Sequence, residues 1–230
     1  MITEDVLSER LESIRLRMRQ AALRSSRTEE DVVLLPATKK QSPEVLRVAM
    51  ACGLDRFGEN RVQEAVIKKA ELPASVQWDF IGALQRNKVK DVVGSFSLVH
   101  SVDTLALAEE INQRADRAGC IQKILLEVNV GGESSKHGMA PEDVPDIAQQ
   151  INQLERVEIH GLMTVAPFRE DSEVVRPFFK ILRNCRDHLE NDLGFGLPIL
   201  SMGMSHDFEV AIEEGSTLVR IGTALFGERN

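Results

Sequence analysis

VVLLPATKKQSPEVLRVAMACGLDRFGEN, residues 32–60, decides the fold. It opens on an aliphatic, β-branched run (32–37) and closes on a second short run (54–57), and the residues between them read as a helix. Ser42-Pro43 marks where that helix starts, a capping residue followed by proline at the first helical position. A strand, a helix and a further strand in this order form a unit whose two strands run parallel.

The alternation continues along the chain. Strand-like runs recur at 77–81 (QWDFI), 96–100 (FSLVH), 121–129 (IQKILLEVN), 157–163 (VEIHGLM), 197–202 (LPILSM) and 217–221 (TLVRI). Helical stretches separate them, and Asp103 is placed to cap the one through Ala108 and Ile111. Eight strand–helix pairs favour closure into a (β/α)8 TIM barrel of the α/β class, whereas five or six would favour an open, doubly wound sheet. Pro36 sits awkwardly in the first strand, because it removes one ladder donor. Ahead of that strand, Val6, Leu7, Leu11, Ile14, Met18 and Ala22 recur at helical spacing, so an additional amphipathic helix precedes the barrel. The arginines at 10, 15, 17 and 19 interleave with Glu9 and Glu12 and read as a solvated face. No linker or shift of composition divides the chain, so one domain over 1–230 is expected.

Composition narrows the function. With 230 residues, 43% of them hydrophobic, there is apolar material for one substantial core. The net charge of −8 gives no global electrostatic case for a nucleic-acid partner. Cys52, Cys120 and Cys185 are far apart and form no CxxC pair, so reduced thiols in a cytoplasmic protein are expected, with no metal site. The N-terminal MITEDVLSERLESI fits no signal peptide. No apolar run approaches the ~20 residues that cross a bilayer, so no membrane role is expected.

The unusual polar segments fall after the strands, where barrels of this class carry their chemistry. They are Thr38-Lys39-Lys40, Gly58-Glu59-Asn60, the Gly82 to Lys88 stretch, Asn129 to Lys136, Met163-Thr164, Ser201 to Ser205, and Arg220-Ile221-Gly222-Thr223. The last two resemble a phosphate cradle: glycine lets the backbone approach an anion, and N–H groups and Ser/Thr hydroxyls donate to it. Two ordinary glycine turns are the plain alternative. Lys39 ends an apolar strand, and a lysine facing a barrel mouth is a nucleophile for an aldehyde; a solvated strand-end lysine is its plain alternative. Alternation puts Val33, Leu35, Ala37 and Lys39 on one face and Val32, Leu34, Pro36, Thr38 and Lys40 on the other. Periodicity does not say which face points inward, so it does not choose between the two lysines.

At this point the residues resemble a family, the pyridoxal phosphate homeostasis proteins of the YggS/PROSC type. The motifs that carry the resemblance are LLPATK (34–39), FGENRVQE (57–64), WDFIGALQRNK (78–88), SK-x-G (135–138), HGLM (160–163), SMGMSHD (201–207) and EEGSTLVRIGTALFG (213–227). The family is similar to the N-terminal barrel domain of alanine racemase and carries pyridoxal 5′-phosphate (PLP) as an imine on the lysine of its first strand. That residue maps onto Lys39. The family usually has Val-Ser-Lys-Thr there, and Ala37-Thr38-Lys39-Lys40 adds a second amine. The resemblance further implies phosphate contacts at Ser205, Gly222 and Thr223 with the backbone of Met204, Arg220 facing the pyridine nitrogen, and Asn60 and Met163 lining the pocket. Lys136 would lie near the entrance, and a monomer is the family expectation.

Arg220 and the absence of tyrosine bear on catalysis. An arginine leaves the pyridine nitrogen largely unprotonated and the electron sink weak. Racemases of this fold set a tyrosine opposite the PLP lysine and close the site with a second domain. This chain has no tyrosine and ends three residues after Gly227. No catalytic residue is therefore assigned. A non-enzymatic carrier of PLP, which buffers the cofactor or delivers it to apo-enzymes, is expected, with a weak racemase or lyase on amino acids as the alternative. Cys120 and His160, the other candidates for a base, read better as packed strand-end residues.

Overall fold

The computed structural model describes residues 2–133 and 136–228. Eight parallel strands are present: β1 (Val33–Pro36), β2 (Arg56–Glu59), β3 (Gln77–Phe80), β4 (Leu98–Val102), β5 (Gln122–Glu127), β6 (Val157–Met163), β7 (Ile199–Met204) and β8 (Leu218–Ile221). Their order, β1-β8-β7-β6-β5-β4-β3-β2, makes each a neighbour of the next in sequence and pairs the first with the last. The circle is nearly closed between β1 and β2 by one bridge, Ala37 with Gly58, and by the Thr38 N–H donating to Gly58 O at 2.9 Å.

Pro36 explains why that seam is the thinnest. The N–H groups of Val33 and Ala37 donate across to β8, to Thr217 O and Ile221 O at 2.8 Å, so odd-numbered residues of β1 bond that side. The donor of Pro36 would have pointed to β2, as that of Thr38 does. Proline has none, so β2 meets β1 only at the C-terminal end.

Helices wrap the sheet: α1 (Glu4–Arg24), α2 (Pro43–Ala51), α3 (Val62–Glu71), α4 (Val89–Val92), α5 (Leu105–Ala118), α6 (Val144–Ile151), α7 (Arg176–Leu193), α8 (Phe208–Glu213) and α9 (Thr223–Phe226). The main core lies between strands and helices, where Phe57, Trp78, Val99, Ile124, Leu162, Leu200 and Val219 meet helix residues such as Leu46, Ile111 and Phe179. A smaller apolar plug of Leu98, Leu125 and Met163, with Ile199 against it, fills part of the barrel axis. Among the described residues no helix is long and apolar enough to cross a membrane.

Three strands begin and end two residues later than the sequence suggests. The expected runs 54–57, 96–100 and 197–202 become Arg56–Glu59, Leu98–Val102 and Ile199–Met204. Leu54, Phe96 and Leu197 are buried in the helix–sheet layer before their ladders start. Apolar runs report burial, whereas the ladder extends through Glu59, Ser101 and Gly203, which carry no hydrophobic signal. Asp103 does not cap α5. Thr104 does, its hydroxyl accepting from Leu107 N at 3.3 Å. In α1 the core face is Leu7, Leu11, Ile14, Met18, Ala21 and Ala22, and Val6 is exposed. Arg17 is more than a solvated charge, since it bonds Glu209 on α8 at 2.7 Å and covers the Phe208 ring at 4.5 Å.

Candidate functional site at the C-terminal mouth of the barrel

Which side of β1 faces the axis separates Lys39 from Lys40. Val32 belongs to the helix–sheet core and Leu34 packs against it. Leu35 is fully buried but stands outside that core, and a Cβ on Gly58 would lie 3.2 Å from its Cδ2. The odd-numbered residues therefore face inward, and Lys39 continues their series past the last β-pair at the half-buried rim. Lys40 is exposed and adopts φ 63°, a left-handed turn, while its N–H donates to Glu64 Oε2 at 2.7 Å. The turn carries Lys40 away from the axis.

The backbone just before Lys39 is held by a buried ion pair. Lys68 of α3 and Glu59 of β2 bond each other and are 3% and 0% exposed. Lys68 Nζ donates to Thr38 O at 2.7 Å, and Thr38 Oγ1 donates to Glu59 Oε1 at 2.6 Å. The same carboxylate accepts from Asn60 N at 3.2 Å. One pair thus fixes the residue before Lys39 and the residue at the end of β2.

Register sets Lys39 beside the glycine turn after β8. Leu35 pairs with Arg220 and Pro36 with Ile221, so Gly222 and Thr223 follow at the level of the lysine. There Ser205 Oγ accepts from both Gly222 N and Ala224 N, each at 3.2 Å. Two backbone donors converging on one oxygen are the groundwork of an anion cradle. Thr223 is exposed beside it. The N–H of Met204 is committed elsewhere, donating to Asp207 Oδ1 at 2.6 Å, so this backbone donor is not aimed at the cradle.

Arg220 forms the floor between lysine and cradle. It is 6% exposed, and its guanidinium donates to Ser201 O (2.7 Å), Ser201 Oγ (2.6 Å) and Thr164 O (2.8 Å). Burial pushes it down to about 10, against the pull of Asp207 and Glu127, and it stays a cation at neutral pH. Met163, 1% exposed, tops the apolar plug. Asn60 brings a buried amide oxygen, Oδ1, that accepts no hydrogen bond. Gly82 is required against it, since a Cβ there would lie 2.2 Å from Asn60 O. A buried, unpaired amide at a mouth with an amine, a guanidinium and a double N–H cradle fits a ligand carrying an aldehyde, a ring nitrogen and a phosphate.

Other predicted positions lie elsewhere. Lys136 pairs with Glu133 at 3.2 Å, and Ser134 and Ser135 of that loop are outside the described residues. Cys120 precedes β5 at the opposite mouth, and His160 bonds Glu158 at 3.1 Å. All three cysteines are free thiols. A cavity of about 770 Å³ opens at that opposite mouth, lined by both Arg19 and Glu29, which pair at 2.9 Å, and by Arg56. Among the described residues, no buried polar side-chain atom lining it lacks a partner.

Glu127 was not singled out by the sequence, where it reads as one charge in a strand. It lies at the inner end of β5, 8% exposed. Burial pushes its carboxyl up to about 7; Asp103 adds to the rise, and Arg220 and His137 oppose it. Between its ordinary value of 4.5 and about 7 the folded chain keeps a proton that the unfolded chain has released. Stability therefore falls as pH rises through that window. Glu127→Gln should remove this slope. In the cofactor-free protein the variant should match its parent near pH 4 and exceed it by up to about 3 kcal/mol near pH 8. Guanidinium unfolding at both ends checks this, and parallel pH profiles for the two proteins refute it.

Residues 11–230 match the family described as alanine racemase, N-terminal domain. The pyridoxal phosphate homeostasis protein of Aquifex aeolicus is 49% identical over 222 residues, covering 96% of this chain and 97% of that protein. The chain belongs to the pyridoxal phosphate homeostasis protein family. Its counterpart in Pseudomonas aeruginosa is 41% identical, over 97% of this chain and 96% of the other. Among solved structures, PipY of Synechococcus elongatus with PLP bound superimposes with TM-score 0.84 at 36% identity, covering 96% of this chain and all of PipY. Alanine racemase of Clostridium difficile matches with TM-score 0.78 over 98% of this chain and 60% of its own, at 17% identity, a likeness of fold alone. Family membership and the eight-stranded barrel agree with the sequence reading.

Proposed function

We propose that this family member binds PLP at the C-terminal mouth and serves as a cytoplasmic carrier in PLP homeostasis, without turning over amino acids. The observation that carries the reading is the line of groups across the mouth: Lys39 on the inward series of β1, Arg220 on the floor beside it, and the Ser205–Gly222–Ala224 cradle one turn further. The relatives' names and the PLP-bound PipY support the same cofactor.

In this reading Lys39 holds the cofactor covalently through its amine. Gly222, Thr223 and Ser205 take its phosphate, with Met204 contributing position and no backbone donor. Arg220 faces the ring nitrogen, and Asn60 and Met163 line the pocket. Bound PLP supplies an aldehyde that amines capture reversibly and a ring that accepts electrons from an attached amino acid. The residues around it are poorly suited to exploit that ring. Arg220 is fastened to two backbone carbonyls and a serine hydroxyl, so on this reading a guanidinium rather than a carboxylate would meet the nitrogen. No tyrosine exists in the chain to act as a second base. Apo-enzymes that use PLP are the natural recipients.

Incubation of the PLP-loaded protein with single L-amino acids tests the carrier reading. The expected result is exchange or release of cofactor with no accumulating product. Multiple-turnover formation of a D-amino acid or a keto acid would establish the enzyme alternative instead.

A further inference from the structure

A continuous polar chain crosses the barrel interior. At the N-terminal mouth, Arg56 of β2 grips Asp79 of β3 with Nε–Oδ1 at 3.2 Å and NH2–Oδ2 at 2.7 Å. Asp79 Oδ2 meets His100 Nε2 of β4 at 3.0 Å, and His100 Nδ1 meets Ser201 Oγ of β7 at 3.0 Å. Ser201 Oγ in turn accepts from Arg220 NH1 at 2.6 Å. Asp79, His100 and Ser201 are all 2% exposed or less.

Donor and acceptor counting fixes the protons. Asp79 as a carboxylate only accepts, so His100 Nε2 carries hydrogen. Arg220 only donates, and in a neutral ring the bare Nδ1 of His100 takes the hydrogen of Ser201. A neutral His100 satisfies every donor in the chain. An imidazolium would donate from both nitrogens, and the Ser201 hydroxyl would then accept twice with no acceptor in this chain for its own hydrogen. Burial pushes His100 below its ordinary value, Asp79 pulls it up, and Arg220 and Arg56 push it down again. The groups facing the ring are therefore one carboxylate, one hydroxyl and, beyond them, a guanidinium at either end.

We propose that His100 and Ser201 are positioning residues for the cofactor, holding the Arg220 guanidinium in a single orientation, and that Arg56 maintains their proton arrangement from the opposite mouth. The inference rests on the reading that Arg220 faces the bound ring. Arg56 matters because it neutralises Asp79. Without it the buried carboxylate would draw a second proton onto His100, and the Ser201 hydroxyl would have to turn, accept from His100 and Arg220 together and leave its own hydrogen without a partner in the chain, loosening its hold on Arg220.

The test compares Ser201→Ala, His100→Leu, His100→Asn, Arg56→Met and Arg220→Ala by PLP titration and by the visible spectrum of the bound cofactor. Ser201→Ala and His100→Leu should each weaken PLP binding about tenfold and shift the band. His100→Asn, whose amide oxygen can accept from Ser201, should restore most of the affinity. Arg56→Met should make the band titrate between about pH 6 and 8, where the parent is flat. Unchanged affinity and band in Ser201→Ala and His100→Leu, with Arg220→Ala impaired, would overturn the positioning role alone. Unchanged binding in Arg220→Ala would overturn the placement of the cofactor and the inference with it. Nitrogen NMR of His100 in the cofactor-free parent gives a readout that depends on no variant folding. The neutral Nε2–H form is expected, and a doubly protonated ring at neutral pH refutes the scheme.

Discussion

Lys39→Ala is expected to lose all cofactor that borohydride can fix to the chain, while Lys40→Ala keeps the label. The two amines are adjacent in sequence, yet the strand delivers them to different surroundings. Lys39 extends the inward series Val33, Leu35, Ala37, and Lys40 turns off at φ 63° with its N–H tied to Glu64. A flexible lysine stem reaches several ångströms, but reversing the side of a strand requires a change of register that the Val33 to Ala37 ladder forbids. Mass spectrometry of the reduced, digested protein reads the result directly. Label recovered on Lys40 in the parent, or persisting in Lys39→Ala, would refute the assignment. The two lysines should also differ in the visible band that follows PLP addition, which disappears only in Lys39→Ala.

The second large effect is on stability. Lys68→Met removes the cation from a pair that is almost wholly buried and leaves Glu59 with its charge unmatched. Breaking such a pair from one side costs about 3–5 kcal/mol. For a chain of this length each kcal/mol lowers the midpoint by roughly 2–4 °C, so a fall on the order of 10 °C is expected. Lys68→Met/Glu59→Leu should recover part of this, because no unmatched charge remains. Recovery should be incomplete, since Asn60 N loses its acceptor and Thr38 O and Thr38 Oγ1 each lose one of two partners, keeping Gln41 N and Gly58 O, at about 0.5–1.5 kcal/mol per hydrogen bond. Thermal unfolding of the cofactor-free proteins measures both. A single variant within about 1 kcal/mol of the parent would show that the pair does not hold the end of β1. Because Thr38 precedes Lys39, the yield of borohydride label should fall in the single variant as well.

Different physics made different parts of this protein readable. The barrel followed from local pattern: eight aliphatic runs separated by helical stretches allow few arrangements in a chain of 230 residues. The clustering of Lys39, Asn60, Ser205, Arg220, Gly222 and Thr223 after strands was equally local, because parallel strands bring all their C-terminal ends to one face. The motifs added the cofactor by resemblance. Strand ends depart from the apolar runs where ladders run on through polar residues, as at Glu59 and Gly203, because apolar content measures burial and says nothing of pairing.

What stayed hidden depends on residues far apart in the chain. The inward side of β1, which separates the surroundings of Lys39 from those of Lys40, follows from whether Leu34 or Leu35 meets the helices, and both are leucines. Glu59 and Lys68 look like surface charges until β2 and α3 bury them together beneath Thr38. Asp79, His100 and Ser201 lie on three strands, and each alone is an ordinary polar residue in an apolar run. Only closing the barrel removes them from water, and a buried polar group must then find partners across the axis. Residue type and spacing carry local geometry and burial, whereas partnership between distant side chains exists only once the tertiary fold has excluded the solvent.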